Sequence, residues 1–257
     1  MPEPPQSSAP DPRLVERVRV HVYREFAATG RPPTVLGVAD RLGLRPLEAA
    51  AAFDALHAAR HLVLDADRRI LIAHPFAGIP LRFSVMGART LWWGGCAWDS
   101  FAIPHLVSDE PTVLVATTCP NCFTPHAWVV SRDAPPAGQQ VAHFLVPVAR
   151  IWDDVVRSCG NQSIFCSEGC VSAWLSATGQ ERGYVMSLET LWLLARGWYA
   201  GRLDTPYERR EPTRAAEYFA SIGLSGSFWG LPDAGRPNAG LPDAEAGPGV
   251  SGSPAPS

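Results

Sequence analysis

The segment Trp92-Trp93-Gly94-Gly95-Cys96-Ala97-Trp98-Asp99-Ser100-Phe101-Ala102-Ile103-Pro104 sets a thiol and a carboxylate three positions apart in otherwise aromatic and apolar sequence. With residues 96–103 helical, Cys96 and Asp99 lie one turn apart on one face. A carboxylate in a dry, tryptophan-lined pocket is expected to have a raised pKa, which suits it to hold or pass a proton near neutrality. A thiol beside it, once deprotonated, is a candidate soft-metal ligand. The same segment also reads as a helix entering the core, with Cys96 a small apolar residue and Asp99 a cap.

Upstream, residues 14–29 carry Leu14, Val18, Val20, Val22 and Phe26 at helical spacing, and Gly30-Arg31-Pro32-Pro33 ends the segment. Thr34 suits the cap of a short helix over 35–42, closed by Gly43. Arg45-Pro46 opens an alanine-rich helix reaching Arg60. Residues 61–72 place two apolar runs around a polar turn, a β-hairpin pattern. Three helices followed by a two-stranded wing make a winged-helix-like module, expected over residues 12–80 after a disordered leader at 1–11. A DNA-reading helix presents basic or amide side chains. The helix at 46–60 offers alanines with Glu48 and Asp54, so the module is expected to be a packing scaffold, with nucleic acid not a partner.

Downstream, residues 74–83 read as a Pro-punctuated linker into a new core over 81–230. Strands are expected at 83–86, 112–118, 127–131 and 143–147, and helices at 171–178, 188–199 and 213–222. The fold class is therefore α+β. Past Trp229 the composition turns to Gly, Pro, Ala, Ser and Asp, with a near-repeat of Gly-Leu-Pro-Asp-Ala beginning at Gly230 and again at Gly240. Residues 231–257 cannot bury enough apolar surface to order themselves and are expected to be disordered.

Composition narrows the function classes. An apolar fraction of 46% with nine tryptophans in 257 residues demands a folded core. The net charge of −3 is carried without any long basic or acidic run, which argues against a nucleic-acid or membrane-surface partner. There is no lysine, and no stretch approaches the ~18 apolar residues of a membrane span. With no basic-then-apolar leader, the expected compartment is the cytoplasm, where six cysteines are thiols or metal ligands rather than disulfides.

Those cysteines fall as Cys96 alone, the pair Cys119 and Cys122, and the trio Cys159, Cys166 and Cys170. Cys-Pro-Asn-Cys at a hairpin tip and Phe-Cys-Ser-Glu-Gly-Cys at a helix N-terminus are a treble-clef arrangement for tetrahedral zinc, held by Cys119, Cys122, Cys166 and Cys170. Reduced core cysteines or a redox pair are the competing reading. That zinc set leaves Cys96, Cys159 and Asp99, and two thiolates favour a soft, low-coordinate metal over magnesium or calcium. His105, His126 and His143 carry no ligand spacing and read as core or surface, so a Cys–His nucleophile has little support.

A helical N-terminal module, then Cys96-Ala97-Trp98-Asp99 in an aromatic segment, then Cys159 before a Phe-containing segment, resembles the organomercurial (alkylmercury) lyases over roughly residues 14–200. The resemblance implies a winged-helix-like module packed on a mixed β-sheet core with helices. It implies Cys96 and Cys159 as the mercury-binding thiols and Asp99 as the proton-relaying carboxylate. The substrate would be an organomercurial, the products a hydrocarbon and Hg(II), with no organic cofactor. Low-molecular-weight thiols or a mercuric reductase would take the bound Hg(II). Trp92, Trp93, Trp98 and Phe101 would form an apolar wall around the organic group. The four zinc-type cysteines exceed what that reaction needs. A soft-metal carrier without turnover and a winged-helix metal sensor are the alternatives.

Overall fold

The computed structural model describes residues 10–210 and 212–233. The leader expected at 1–11 and the tail expected at 231–257 fall outside these residues except at their inner ends. There the chain is built into the fold. Asp11 caps the first helix by accepting the Arg13 N–H at 2.9 Å. Leu231 packs on the core, its N–H donates to Gly226 O, and Gly226 N–H donates to Pro232 O.

The first three helices are α1 (Pro12–Thr29), α2 (Val35–Leu42) and α3 (Pro46–Ala58). α1 buries Val18, Val22 and Phe26, one stripe at i, i+4 and i+8, with Tyr23 beside it. α2 starts where Thr34 accepts the Gly37 N–H at 3.0 Å. Glu48 returns to the Arg45 N–H at the start of α3. The hairpin follows as β1 (Val63–Leu64) and β2 (Ile70–Ala73).

The supposed linker at 74–83 contains a strand, β3 (Phe76–Ala77), whose two residues are too few to show a period. After it come β4 (Phe83–Met86), β5 (Leu91–Gly94), the helix α4 (Ala97–Leu106), β6 (Thr112–Thr118) and β7 (Pro125–Ser131). These strands form one seven-stranded sheet in the order β1-β2-β3-β5-β4-β6-β7, so the N-terminal hairpin continues the same sheet as the later strands. A second sheet, ordered β10-β8-β9, is built from β8 (Val141–Phe144), β9 (Gln162–Phe165) and β10 (Tyr184–Ser187). The remaining helices are α5 (Val155–Gly160), α6 (Glu168–Thr178), α7 (Leu188–Trp198) and α8 (Pro212–Ser221).

Among the described residues every strand pairing is antiparallel. The expected mixed sheet is corrected on that point. Sequential strands such as β1–β2, β4–β5 and β6–β7 are joined by short returns, and a parallel pair needs a crossover of a dozen residues or more. No helix among the described residues is long and apolar enough to cross a membrane.

α4 sits in the middle of the molecule. It packs on α7, on β4, β5, β6 and β7 of the large sheet and on β9 of the small one. Residues 97 to 104 are all buried, so the helix is apolar on every side save where Asp99 and Ser100 project. Its carbonyl-rich C-terminal end, disturbed by Pro104, is met by the Arg132 guanidinium, which donates to Pro104 O and Val107 O.

Candidate active site

β5 delivers the chain to α4 through Gly94 and Gly95. A Cβ on Gly95 would stand 2.2 Å from Asp99 Oδ2, and one on Gly94 would stand 2.0 Å from Ser100 Oγ. The turn is therefore glycine so that the start of α4 can lie against it. Cys96 is the N-cap residue, its sulfur accepting the Asp99 N–H at 3.4 Å. The Ser100 hydroxyl fastens the same turn by donating to Cys96 O at 2.6 Å.

Asp99 is wholly buried and receives three side-chain donors. The Cys96 thiol donates to Oδ2 at 3.2 Å, His74 Nδ1 lies 3.0 Å from the same oxygen, and the Tyr199 hydroxyl donates to Oδ1 at 2.5 Å. Cys159, on α5, faces the same carboxylate and perturbs the Cys96 thiol. One ligand atom each from His74, Asp99 and Cys159 lies within 4.8 Å of the others. Residues from 25 to 100 positions away thus converge on one carboxylate.

The electrostatics correct one expectation. Burial alone pushes the Asp99 carboxyl up, as foreseen. The charge and hydrogen bond of His74, with hydrogen bonds from Tyr199 and Cys96, outweigh it and leave the carboxyl below its usual value. Burial, the Cys159 hydrogen bond and the Asp99 charge push the Cys96 thiol well up. The Cys96 hydrogen bond draws Cys159 down, but burial and Asp99 leave it above its usual value. Burial and then the Asp99 charge raise Tyr199 well above the ordinary phenol. These directions favour an ionised carboxylate and protons held on sulfur.

A cavity opens onto this cluster. Its floor is His74, Cys96, Asp99, Cys159 and Tyr199, its walls include Trp98, Trp152 and Trp198, and Arg202, Arg209 and Arg210 also line it. Of the aromatic wall read from the sequence, Trp98 lines the cavity and Trp92, Trp93 and Phe101 do not. Trp92 faces α1, donating its indole N–H to Ala27 O at 3.0 Å. Trp93 lies half-buried on β5, opposite Ser84 and Ala77. Phe101 packs on Trp128 in a tilted arrangement with ring centroids 6.3 Å apart. The structure supplies Trp152 and Trp198 in their place.

A profile of the alkylmercury lyase family matches residues 76–200, a span that contains Cys96, Asp99 and Cys159. That span, just under half of the chain, is similar to the alkylmercury lyases. The fold agrees: a crystal structure described as the mercury-bound form of MerB2 is similar at 16% identity with a TM-score of 0.52, covering 71% of this chain and 94% of that one. No curated protein sequence matches the chain.

Around this site, His74, Tyr199 and Arg202 are the residues that sequence reading passed over. Arg202 is buried and donates to His74 O at 2.9 Å and to the Tyr207 hydroxyl, while its guanidinium lies 4.8 Å from the Tyr199 ring centre. Arg202 O in turn accepts from Arg19 of α1 at 2.7 Å, which ties the N-terminal helices to the site. Their one sequence signal was Trp198-Tyr199 followed by Arg202 at the end of an apolar helix, a polar–aromatic mix with no exposed role.

Tyr199→Phe gives a check on the carboxylate's environment. Removing the hydroxyl leaves a buried anion short of one donor, at a cost of about 1–3 kcal/mol of stability near neutral pH. A depressed carboxyl contributes stability above its unfolded value, and that contribution is lost as pH falls through the folded value. The variant's carboxyl titrates higher, so its deficit relative to the native protein should shrink in acid. Urea titrations of both proteins at neutral and acidic pH measure this, and a deficit independent of pH would contradict it.

The other four cysteines form a second cluster. Cys119 and Cys122 flank the turn from β6 to β7, Cys166 follows β9, and Cys170 lies in the first turn of α6. One sulfur from each lies within 4.8 Å of the others.

Proposed function

We propose that this chain is an organomercurial lyase that cleaves carbon–mercury bonds by protonolysis, with Cys96, Cys159 and Asp99 as its catalytic residues. The observation that carries the reading is one buried carboxylate that accepts from the Cys96 thiol, with the Cys159 sulfur within 4.8 Å of it, in an aromatic-walled cavity.

The substrate arrives as R–Hg bound to a carrier thiolate. One active-site sulfur gives up its proton and captures mercury, displacing the carrier, which leaves as a thiol. The second sulfur adds to the metal and passes its proton to Asp99. Two thiolates on mercury raise electron density on the attached carbon. Asp99 protonates that carbon as the carbon–mercury bond breaks, and R–H departs. Two cysteine protons are consumed, one on the carrier and one on carbon, and Hg(II) remains between Cys96 and Cys159. Two outside thiols then restore both protons and remove the metal, so no redox step and no organic cofactor enter. An ionised Asp99 flanked by protonated thiols is the correct starting state for this relay. Tyr199 and His74 hold the carboxylate in place while it accepts and returns the proton.

Trp98, Trp152 and Trp198 exclude water and accommodate the organic group. Arg202, Arg209 and Arg210 give the cavity a positive lining suited to the carboxylates of low-molecular-weight thiol adducts. In this reading the enzyme is a cytoplasmic detoxifying lyase acting ahead of a mercuric reductase. The six thiols are unpaired. Cys119, Cys122, Cys166 and Cys170 hold a structural zinc ion and take no part in bond cleavage.

The helices α1–α3 with the β1–β2 hairpin form a winged-helix-like scaffold over residues 12–80, and residues 81–230 form the catalytic core. The scaffold role is supported by Asp54 of α3, which is paired with Arg68 at 2.8 Å. It is supported too by Trp92 and Arg202, which reach α1 from the core. Gas chromatography of the purified protein with phenylmercury and excess thiol tests the whole reading. Benzene should form in proportion to enzyme, and its absence at every thiol concentration would exclude a lyase.

A further inference from the structure

The two sheets share no strand pairing, and β9 is an edge strand of the smaller one. Where β9 ends beside the β6–β7 turn, the apolar packing is thin: Cys119, Phe165, Val171 and Leu175 are the buried members of a cluster separate from the main core. So small a core needs a covalent or metal staple to hold its shape. The four sulfurs stand at that junction. Cys122 and Cys166 approach to 3.4 Å, and all four lie within 4.8 Å of one another. Four thiolates around one zinc at ~2.3 Å stand roughly 3.8 Å apart, which this spacing encloses.

The surroundings suit thiolates as well. His126 Nε2 lies 3.4 Å from the Cys166 sulfur, and the Thr124 hydroxyl lies 3.2 Å from that of Cys122. Such outer donors orient metal-bound sulfur and spread its charge. The Cys119 N–H donates to Thr124 O and the Phe123 N–H to Cys119 O, closing the knuckle that presents the first two sulfurs. Cys122 is exposed and Cys119 fully buried, so a metal can enter from one side and be held on the other.

We propose that a zinc ion held by Cys119, Cys122, Cys166 and Cys170 staples the edge strand of the small sheet to the β6–β7 turn of the large one, and so fixes the distance between Cys159 and Cys96. The path is short. Cys159 ends α5 just before β9, whose far end runs into Cys166, whereas Cys96 follows β5 of the large sheet. The two thiols therefore sit on opposite sides of the junction that the metal closes. The zinc site itself is independent of the lyase reading, and the link to turnover rests on it.

The test is elemental analysis of full-length protein produced with zinc and without mercury. One zinc per chain is expected. It should be kept in Cys96→Ser and Cys159→Ser and lost in Cys119→Ser and Cys166→Ser. Should those last two fail to fold, cobalt exchanged into the native protein should give the absorption of tetrahedral tetrathiolate cobalt. Chelation of the native protein should lower hydrocarbon release at least tenfold, with recovery on adding zinc back. Iron in place of zinc, no metal with all six thiols titratable, or zinc lost from the Cys96 or Cys159 variants would overturn the site. Full turnover after zinc removal would overturn the staple. Zinc at the four cysteines without any turnover in the native protein would leave the site standing and remove the lyase.

Discussion

Cys96→Ala and Cys159→Ala should each reduce hydrocarbon release from an organomercurial by on the order of 10³-fold or more, the scale expected when one member of an interdependent catalytic set is removed. One thiolate on mercury leaves the carbon too weakly basic to take a proton, and each variant also removes one of the two protons that the reaction consumes. The two losses should differ in their side effects. Cys96 caps α4 through its sulfur, so its alanine variant gives up a cap worth ~1 kcal/mol. Cys159 caps nothing and leaves mainly a small void. Gas chromatography of released benzene beside thermal melting separates the chemistry from the fold. Near-full activity in either variant would remove that cysteine from the site.

Asp99→Asn should lower turnover by ~10² or more, the usual contribution of a positioned general acid–base. The side chain keeps its size, and both thiols remain to bind Hg(II) and the organomercurial. The structure adds a complication. Asp99 accepts from Cys96 and His74 at one oxygen and from Tyr199 at the other. An amide can accept at only one end, so at least one buried donor loses its partner, at about 1–3 kcal/mol. Mercury affinity and melting temperature must therefore be measured beside the rate. A soft-metal carrier predicts no cleavage in either protein and equal binding in both. Wild-type cleavage with undiminished activity in Asp99→Asn would keep the enzyme and exclude the relay.

Much of the site was legible because it is local. Cys96 and Asp99 are three residues apart on one helix turn, and their proximity follows from helix geometry alone. Cys119–Cys122 and Cys166–Cys170 announced themselves by spacing, although 43 residues separate the pairs. Cys159 was left beside Cys96 by elimination once the other four cysteines were grouped, and the family resemblance gave it a role. What failed was adjacency used as a guide to direction. Trp92 and Trp93 alternate across a strand, and Trp98 and Phe101, one turn apart on a helix buried on all sides, still meet different partners, Trp98 lining the cavity and Phe101 packing on Trp128. His74 hid in a proline-punctuated stretch, and Tyr199 at the end of an apolar helix. Their meeting with Asp99 is tertiary and leaves no period in the chain. The carboxyl's depressed pKa was missed for the same reason, since the donors that outweigh burial come from those two residues.

The sulfur of Cys96 also serves as the cap of α4, accepting the Asp99 N–H at 3.4 Å. Oxygen makes that bond better, and serine ranks among the best capping residues. At position 96 the demands of architecture and of reactivity therefore point to different atoms in the same column of the periodic table. A protein selected for heat resistance alone would be driven toward serine there, gaining a firmer helix start and, on the proposed mechanism, forfeiting a mercury ligand. On that mechanism the softer atom is a standing concession by the scaffold to its substrate.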